Sequence, residues 1–267
     1  MKYPRSSFGR INNPHLAAAI YYAAFFIFQL AVTLSAMLPT AWYDGTSSTW
    51  LMTGVQIVSN LLVVLLFLSL RWAVVSNRYL LTRPWDVFLW AAVMALGTII
   101  PSEALNDALG VEMPEEVAKV FMNIARSPLG YLCIGIIGPL TEELVFRGAI
   151  LRVLLPKGQL MAIVLSSLLF ALAHGNMAQM PHAFLSGLLL GWMYARTGSI
   201  LPGFVVHLVN NTVAFLLLRL APDNPDARLV DLLQGDYMQV LLYVGFSLLV
   251  FLPALWQLHL RMKKAGD

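Results

Sequence analysis

Two adjacent carboxylates and a guanidinium stand inside an apolar stretch, residues 130–155, that is long enough to cross a bilayer. They are Glu142, Glu143 and Arg147, in the run Pro139-Leu-Thr-Glu142-Glu143-Leu-Val-Phe-Arg147-Gly148. An ionisable side chain at the bilayer centre costs about 2.5–3.5 kcal/mol on insertion scales. Such residues therefore mark function by default, turned inward and paired. Two further apolar stretches carry polar groups of the same kind. His174 ends one, and His207 and Asn211 lie in the other.

Spacing says which of these groups can meet. Residues three and four apart share a helix face. Glu143 and Arg147 form such a pair, so the arginine can offset one carboxylate. Glu142 lies about 100° away around the axis, which leaves it free to point into a cavity. Phe170 and His174 are a second pair, in which an aromatic ring can brace an imidazole. His207 and Asn211 are a third, and Asn210 could substitute for Asn211 in that geometry. A carboxylate, two imidazoles and an amide on three helices make the parts of a hydrolytic site.

Each group has a plainer reading by itself. Glu143 with Arg147 can be a structural salt bridge, His174 a helix-end hydrogen bonder, and His207 with Asn211 interhelical glue. His182, after Pro181, reads as structural or interfacial. His15 and His259 sit at span ends, where interfacial placement is ordinary. The one cysteine, Cys133, reads as a small core residue without an internal disulfide.

The elements that must position these groups are membrane helices. Of the 267 residues, 59% are hydrophobic and 12% charged, against about 25% charge in soluble domains. The mean hydropathy is +0.73. Apolar runs predict eight spans, at about 16–38, 50–70, 86–101, 130–155, 158–175, 178–196, 199–220 and 237–258. The expected fold is an all-α, polytopic membrane bundle forming a single integral domain over 1–267. No cleavable signal peptide is expected, because the first apolar run is longer than a signal core.

Loop charges support that count. Lys2, Arg5 and Arg10, then Arg71, Arg78 and Arg83, then Arg152 and Lys157, Arg196, and finally Arg261, Lys263 and Lys264 fall in alternate loops. The positive-inside rule places that side, and both termini, in the cytoplasm; the expected location is a bacterial inner membrane. The acids Asp44, Glu103, Asp107, Glu112, Glu115, Glu116, Asp223, Asp226, Asp231 and Asp236 mostly take the other side. The net charge of +3 resides in these short clusters and implies no nucleic-acid partner. Between Ser102 and Pro128, Pro114 can open an amphipathic helix, with Glu115 and Glu116 in its first turn and Val117, Val120, Phe121 and Ile124 at helical spacing.

Taken in order, Glu142-Glu143-x3-Arg147, Phe170-x3-His174 and His207-x3-Asn211 resemble the three motifs of the CAAX-processing and bacteriocin-processing intramembrane protease family (CPBP, or Abi). The resemblance covers about residues 130–215. It implies a bundle of about eight spans around a central catalytic cavity, and hydrolysis of a peptide bond. It puts the water-activating glutamate at Glu142 and a catalytic histidine at His174. Oxyanion stabilisers fall at His207 and Asn211, and Glu143 and Arg147 take supporting positions. The partners so implied are membrane lipids and a peptide or membrane-protein substrate.

Two mechanisms remain open on the residues. In one, Glu142 and histidine activate water without a metal. In the other, Glu142, His174 and His207 supply three N/O ligands to a zinc ion with an open position, although no His-Glu-x-x-His helix is present. Two non-hydrolytic readings compete: an ion-coupled transporter, since acids and histidines also build proton relays, and a membrane immunity or scaffold protein. Counted at about 1.5 Å per residue, straight spans would separate Glu142, His174 and His207 widely in depth.

Overall fold

The computed structural model describes residues 13–40, 49–75, 77–220 and 229–262. Lys2, Arg5, Arg10, Asp44, Asp223, Asp226, Lys263, Lys264 and the side chain of Arg78 lie outside the described residues. Among the described residues the chain is helical and contains no strand, as an all-α membrane bundle requires. Backbone groups in hydrocarbon must be satisfied within their own segment, and helices do this.

The helices are α1 (Pro14–Thr40), α2 (Thr49–Ser69), α3 (Asn77–Thr82), α4 (Trp85–Leu109), α5 (Glu115–Arg126), α6 (132–157), α7 (Gln159–Ala173), α8 (Met180–Thr197), α9 (Leu201–Leu220), α10 (Leu229–Leu232) and α11 (Tyr237–Arg261). A helix lies over each apolar run: α1, α2, α4, α6, α7, α8, α9 and α11. Four of them, at Leu51–Ser69, Trp85–Leu109, Leu201–Leu220 and Tyr237–Arg261, are long and apolar enough to cross a membrane alone.

Two boundaries differ from expectation. α4 runs through Pro101 to Leu109 and ends on Gly110 in the left-handed conformation (φ 61°), so Pro101 does not stop it. Its polar end is tied down by Asp107, whose Oδ2 accepts the Val230 amide at 2.9 Å. In the connecting helix, Pro114 caps α5 from outside rather than opening it. Ala118, Met122 and Ala125 form its buried stripe.

α6 is irregularly wound. Residues Leu132–Ile137 and Glu143–Leu151 take π-helical turns, separated by the α-helical piece Gly138–Glu142. Pro139 lacks an N–H to donate, and wide turns are one way a helix absorbs such a break. Glu142 therefore sits where the winding changes. The stretch Glu143–Leu151 is buried throughout.

An aromatic series leads from α1 into this helix. Phe25 packs edge-on against Phe146 with centroids 5.7 Å apart, and Phe146 against Phe170 of α7 at 5.2 Å. Also on α1, Tyr21 packs against Trp72 of the α2–α3 connection, with ring centroids 4.8 Å apart. α7 and α8 approach closely at Gly187, where a Cβ would lie 2.8 Å from Ser167 Cβ. The basic residues Arg196 and Arg261 gather at one end of the bundle. Arg196 donates to the Met262 carbonyl at 3.1 Å and to the His259 carbonyl at 2.7 Å, and Arg261 lies 3.5 Å from Asp86.

Candidate active site

α6 contributes both carboxylates. Arg147 Nη1 donates to Glu143 Oε1 at 2.7 Å, one helical turn away, and both side chains are sealed from solvent (1% and 0% exposed). Such a pair survives burial only with good geometry and further partners. Arg147 finds two. Its guanidinium lies 4.3 Å above the Phe170 ring, and Nη2 reaches the Gly187 carbonyl at 3.5 Å. Glu142, by contrast, is 30% exposed. The neighbouring acids thus sit in different surroundings, as their angular offset predicts.

α9 places His207 between them. Its Nδ1 lies 3.3 Å from Glu143 Oε1 and its Nε2 3.4 Å from Glu142 Oε2. Glu143 is already the acceptor of Arg147, so the arrangement suits an Nδ1–H donor on His207, with Nε2 turned to Glu142. The other Glu143 oxygen, Oε2, is buried without a hydrogen-bond partner among the described residues. It lies against the first turn of α9, where a Cβ on Gly203 would stand 2.9 Å away. The positive end of the helix dipole is favourable there for a carboxylate, and the absent side chain makes room for it. Sequence reasoning missed Gly203. The available signal is its position one turn before His207, on the same face.

α7 supplies Phe170 and His174. Phe170 touches three polar groups at once: Arg147 above its ring, the His174 ring at 4.9 Å and the His207 ring at 5.7 Å, both edge-on. His174 Nδ1 stands 2.9 Å from the Phe170 carbonyl, which can only accept. Nδ1 therefore carries the proton, and the Nε2 lone pair is left for a substrate or water.

The helix that carries His174 is short. α7 has 15 residues, about 22 Å at 1.5 Å per residue, short of the roughly 30 Å hydrocarbon core. His174 thus falls in a turn at the end of a helix too short to cross. The turn satisfies its own polar groups. Asn176 Nδ2 donates to the His174 carbonyl at 3.1 Å and to Gln179 Oε1 at 2.7 Å, and Asn176 Oδ1 accepts the Gln179 amide at 3.0 Å. Irregular backbone at membrane depth is tolerated where it is enclosed or lines a cavity.

The two asparagines diverge. Asn211 Nδ2 donates to the Ile134 carbonyl on α6 at 3.0 Å, and Asn210 Oδ1 lies 3.5 Å from Thr98 Oγ1 on α4. Asn211 thus faces the helix that carries the glutamates, and one amide hydrogen remains beyond its bond to Ile134. No hydrogen bond among the described residues joins it to Glu142, Glu143, His174 or His207. His182, on the first turn of α8, lies near enough to His174 and His207 to interact electrostatically with both, and its Nε2 is 3.3 Å from Ser186 Oγ. It belongs to the surroundings of the site, which its sequence position does not reveal.

A buried polar network supports the Glu142 turn from behind. Thr141 Oγ1 donates to the Ile137 carbonyl at 2.8 Å and reaches the Asn60 carbonyl of α2 at 3.5 Å. Asn60 Oδ1 accepts from Gln29 Nε2 at 3.1 Å, and Ser59 Oγ donates to Gln29 Oε1 at 2.5 Å. These bonds tie α1 and α2 to the segment before Glu142.

A zinc ion needs three or four converging N, O or S donors. Among the described residues no three His, Cys, Asp or Glu side chains gather closely enough to hold a metal. Glu142 Oε2 and His207 Nε2 lie 3.4 Å apart, but His174 does not join them in a group of three. As arranged, Glu142, His174 and His207 do not present a three-donor set.

The sequence is similar to known membrane proteases. Residues 124–213 match the family described as type II CAAX prenyl endopeptidase Rce1-like. The chain is 26% identical over 232 residues to the "Membrane-embedded CAAX protease MroQ" of Staphylococcus aureus, covering 79% of this chain and 90% of that protein. It is 27% identical over 110 residues to the "Putative membrane peptidase YdiL" of Bacillus subtilis, covering 40% of this chain and 45% of that one. No solved structure matches. The matched region holds all three motifs, and the chain, an integral membrane protein, is similar there to intramembrane proteases of the CPBP family.

Proposed function

We propose that this protein is an endopeptidase that cuts a membrane-associated peptide or protein with a water molecule activated by Glu142. The observation that carries this reading is the division of labour between the adjacent glutamates. Glu143 is sealed against Arg147, while Glu142 remains partly exposed with His207 Nε2 3.4 Å away.

An amide is a poor electrophile, so the site must deprotonate water and stabilise an oxyanion. Glu142 takes the water proton as the hydroxyl oxygen attacks the carbonyl carbon. His174 Nε2, free because Nδ1 is held by the Phe170 carbonyl, orients that water. The second amide hydrogen of Asn211 supplies a donor for the tetrahedral oxygen, and His207 supplies another at Nε2 once Glu142 has passed the water proton to it. The carbon–nitrogen bond then breaks, and the proton taken from water passes to the departing amine. Arg147, Glu143 and Phe170 hold His207 in register throughout.

The experiment compares membranes from cells expressing the native chain or Glu142→Gln, with new peptide N-termini mapped by mass spectrometry. A peptide found only with the native chain is then offered to each purified protein in proteoliposomes. Cleavage by the native protein alone supports the proposal. Equal cleavage by both overturns it.

A further inference from the structure

We infer that a cleft beside α9, separate from the catalytic face, binds an acidic phospholipid through its acyl chain and phosphate. The cleft encloses about 330 Å³ where the α3–α4 corner meets the start of α9. Its walls include Tyr79, Trp85, Phe88, Leu201 and Phe204, and the one charged residue lining it is Arg83. This inference does not depend on the catalytic reading.

The walls fit hydrocarbon. Aromatic and aliphatic side chains from separate helices form a concave apolar surface, and its volume lies within the roughly 300–1,000 Å³ typical of small-molecule sites. The surroundings of the cleft also suit the level of lipid headgroups. Its rim carries Trp85 at 72% exposure, with Leu81 at 82% on the adjoining turn. The start of α4 meets the end of α11 through Asp86 and Arg261, and Arg196 joins the same end. Tryptophan and arginine gather at membrane–water boundaries.

The charge selects the lipid. Arg83 is exposed and stands at the α3–α4 corner with φ 45°, a left-handed conformation that few non-glycine residues adopt. The nearest acid in sequence, Asp86, is engaged by Arg261 at 3.5 Å. No ion pair of Arg83 occurs among the described residues. A solitary guanidinium above an apolar cleft complements a phosphate above an acyl chain, in the manner of basic pockets between membrane helices. A zwitterionic lipid would bring its own cation to the same place and gain less.

The site also adjoins the catalytic machinery. Phe204 lines the cleft, its neighbour Gly203 faces Glu143, and His207 lies one turn further along. An occupied cleft would brace the first turn of α9 on the side opposite the carboxylates.

The test is native mass spectrometry on the full chain in detergent, with phosphatidylglycerol, phosphatidylcholine or inorganic phosphate added at equal concentration. Preferential retention of phosphatidylglycerol is expected. Arg83→Gln should reduce that preference roughly fivefold, the effect of about one basic residue near an anionic surface, and Arg83→Lys should preserve most of it. Leu201→Trp, which fills the cleft, should reduce retention of both lipids. A second readout needs no variant at Arg83: brominated phosphatidylglycerol should quench tryptophan fluorescence more than brominated phosphatidylcholine, and Trp85→Phe should remove the difference. Equal retention of the two lipids, an unchanged preference in Arg83→Gln, or displacement of the lipid by inorganic phosphate alone would overturn the inference.

Discussion

His207 Nε2 lies 3.4 Å from Glu142 Oε2, although 64 residues separate His207 from the adjacent Glu143 that holds its other nitrogen. One imidazole thus reports on both carboxylates. It is oriented by the buried acid and presents its remaining nitrogen to the exposed one. A carboxylate beside a correctly held imidazole is the least a water-activating site requires.

The first prediction concerns the exposed acid. Glu142→Gln keeps size and polarity but cannot accept the water proton. Cleavage under single-turnover conditions should fall by about 10²–10⁴-fold, the usual contribution of a general base. Yield and melting temperature in detergent should match the native protein. A variant retaining a tenth of native activity would show that Glu142 is not the base.

Removing the buried cation tests the supporting pair. Arg147→Ala leaves Glu143 without its ion-pair partner in a sealed environment. Breaking a buried pair in this way is destabilising by about 3–5 kcal/mol. The double variant Glu143→Gln/Arg147→Met, which removes both charges, should recover most of that stability without recovering activity. Thermal unfolding of the purified variants measures the first quantity and peptide cleavage the second. Equal stability of the single and double variants would contradict the prediction.

Gly203 is expected to act by position. A Val side chain there must displace the Glu143 carboxylate, since a Cβ already falls 2.9 Å from Oε2. The shift passes to His207 through the 3.3 Å contact. Gly203→Val should therefore lower kcat by at least about tenfold while KM changes little, because the missing interaction belongs to the transition state. A proportionate rise in KM with kcat intact would place Gly203 in substrate binding instead.

Chelation separates the two hydrolytic mechanisms. With water activated by Glu142 and imidazole alone, dialysis against a chelator should leave turnover unchanged, and metal analysis should find less than one ion per chain. Loss of activity on chelation, restored by zinc, would reassign Glu142, His174 and His207 as ligands.

The local pieces of the site were legible because each rests on spacing within one helix. The Glu143–Arg147 pair, the Phe170 brace on His174 and the different fates of Glu142 and Glu143 all follow from helical periodicity, and each appears in the fold. The membrane class follows as directly, since 59% hydrophobic residues with 12% charge leave little else for the chain to be. Contacts between helices were not legible. The meeting of His207 with both carboxylates depends on how α9 lies against α6, and no periodicity within either helix encodes that. The separation of Asn211 toward Ile134 from Asn210 toward Thr98 likewise depends on which helices flank α9.

The amino-acid order alone therefore determined the apolar rods, the polar residues they carry and the face each residue occupies, because these depend on neighbours within about one turn. The tertiary structure decided which faces meet. It set His207 between the two carboxylates, and it turned Gly203 into space for a buried carboxylate. Packing between distant segments is a collective result of shape and burial, so it appears only once the bundle is assembled.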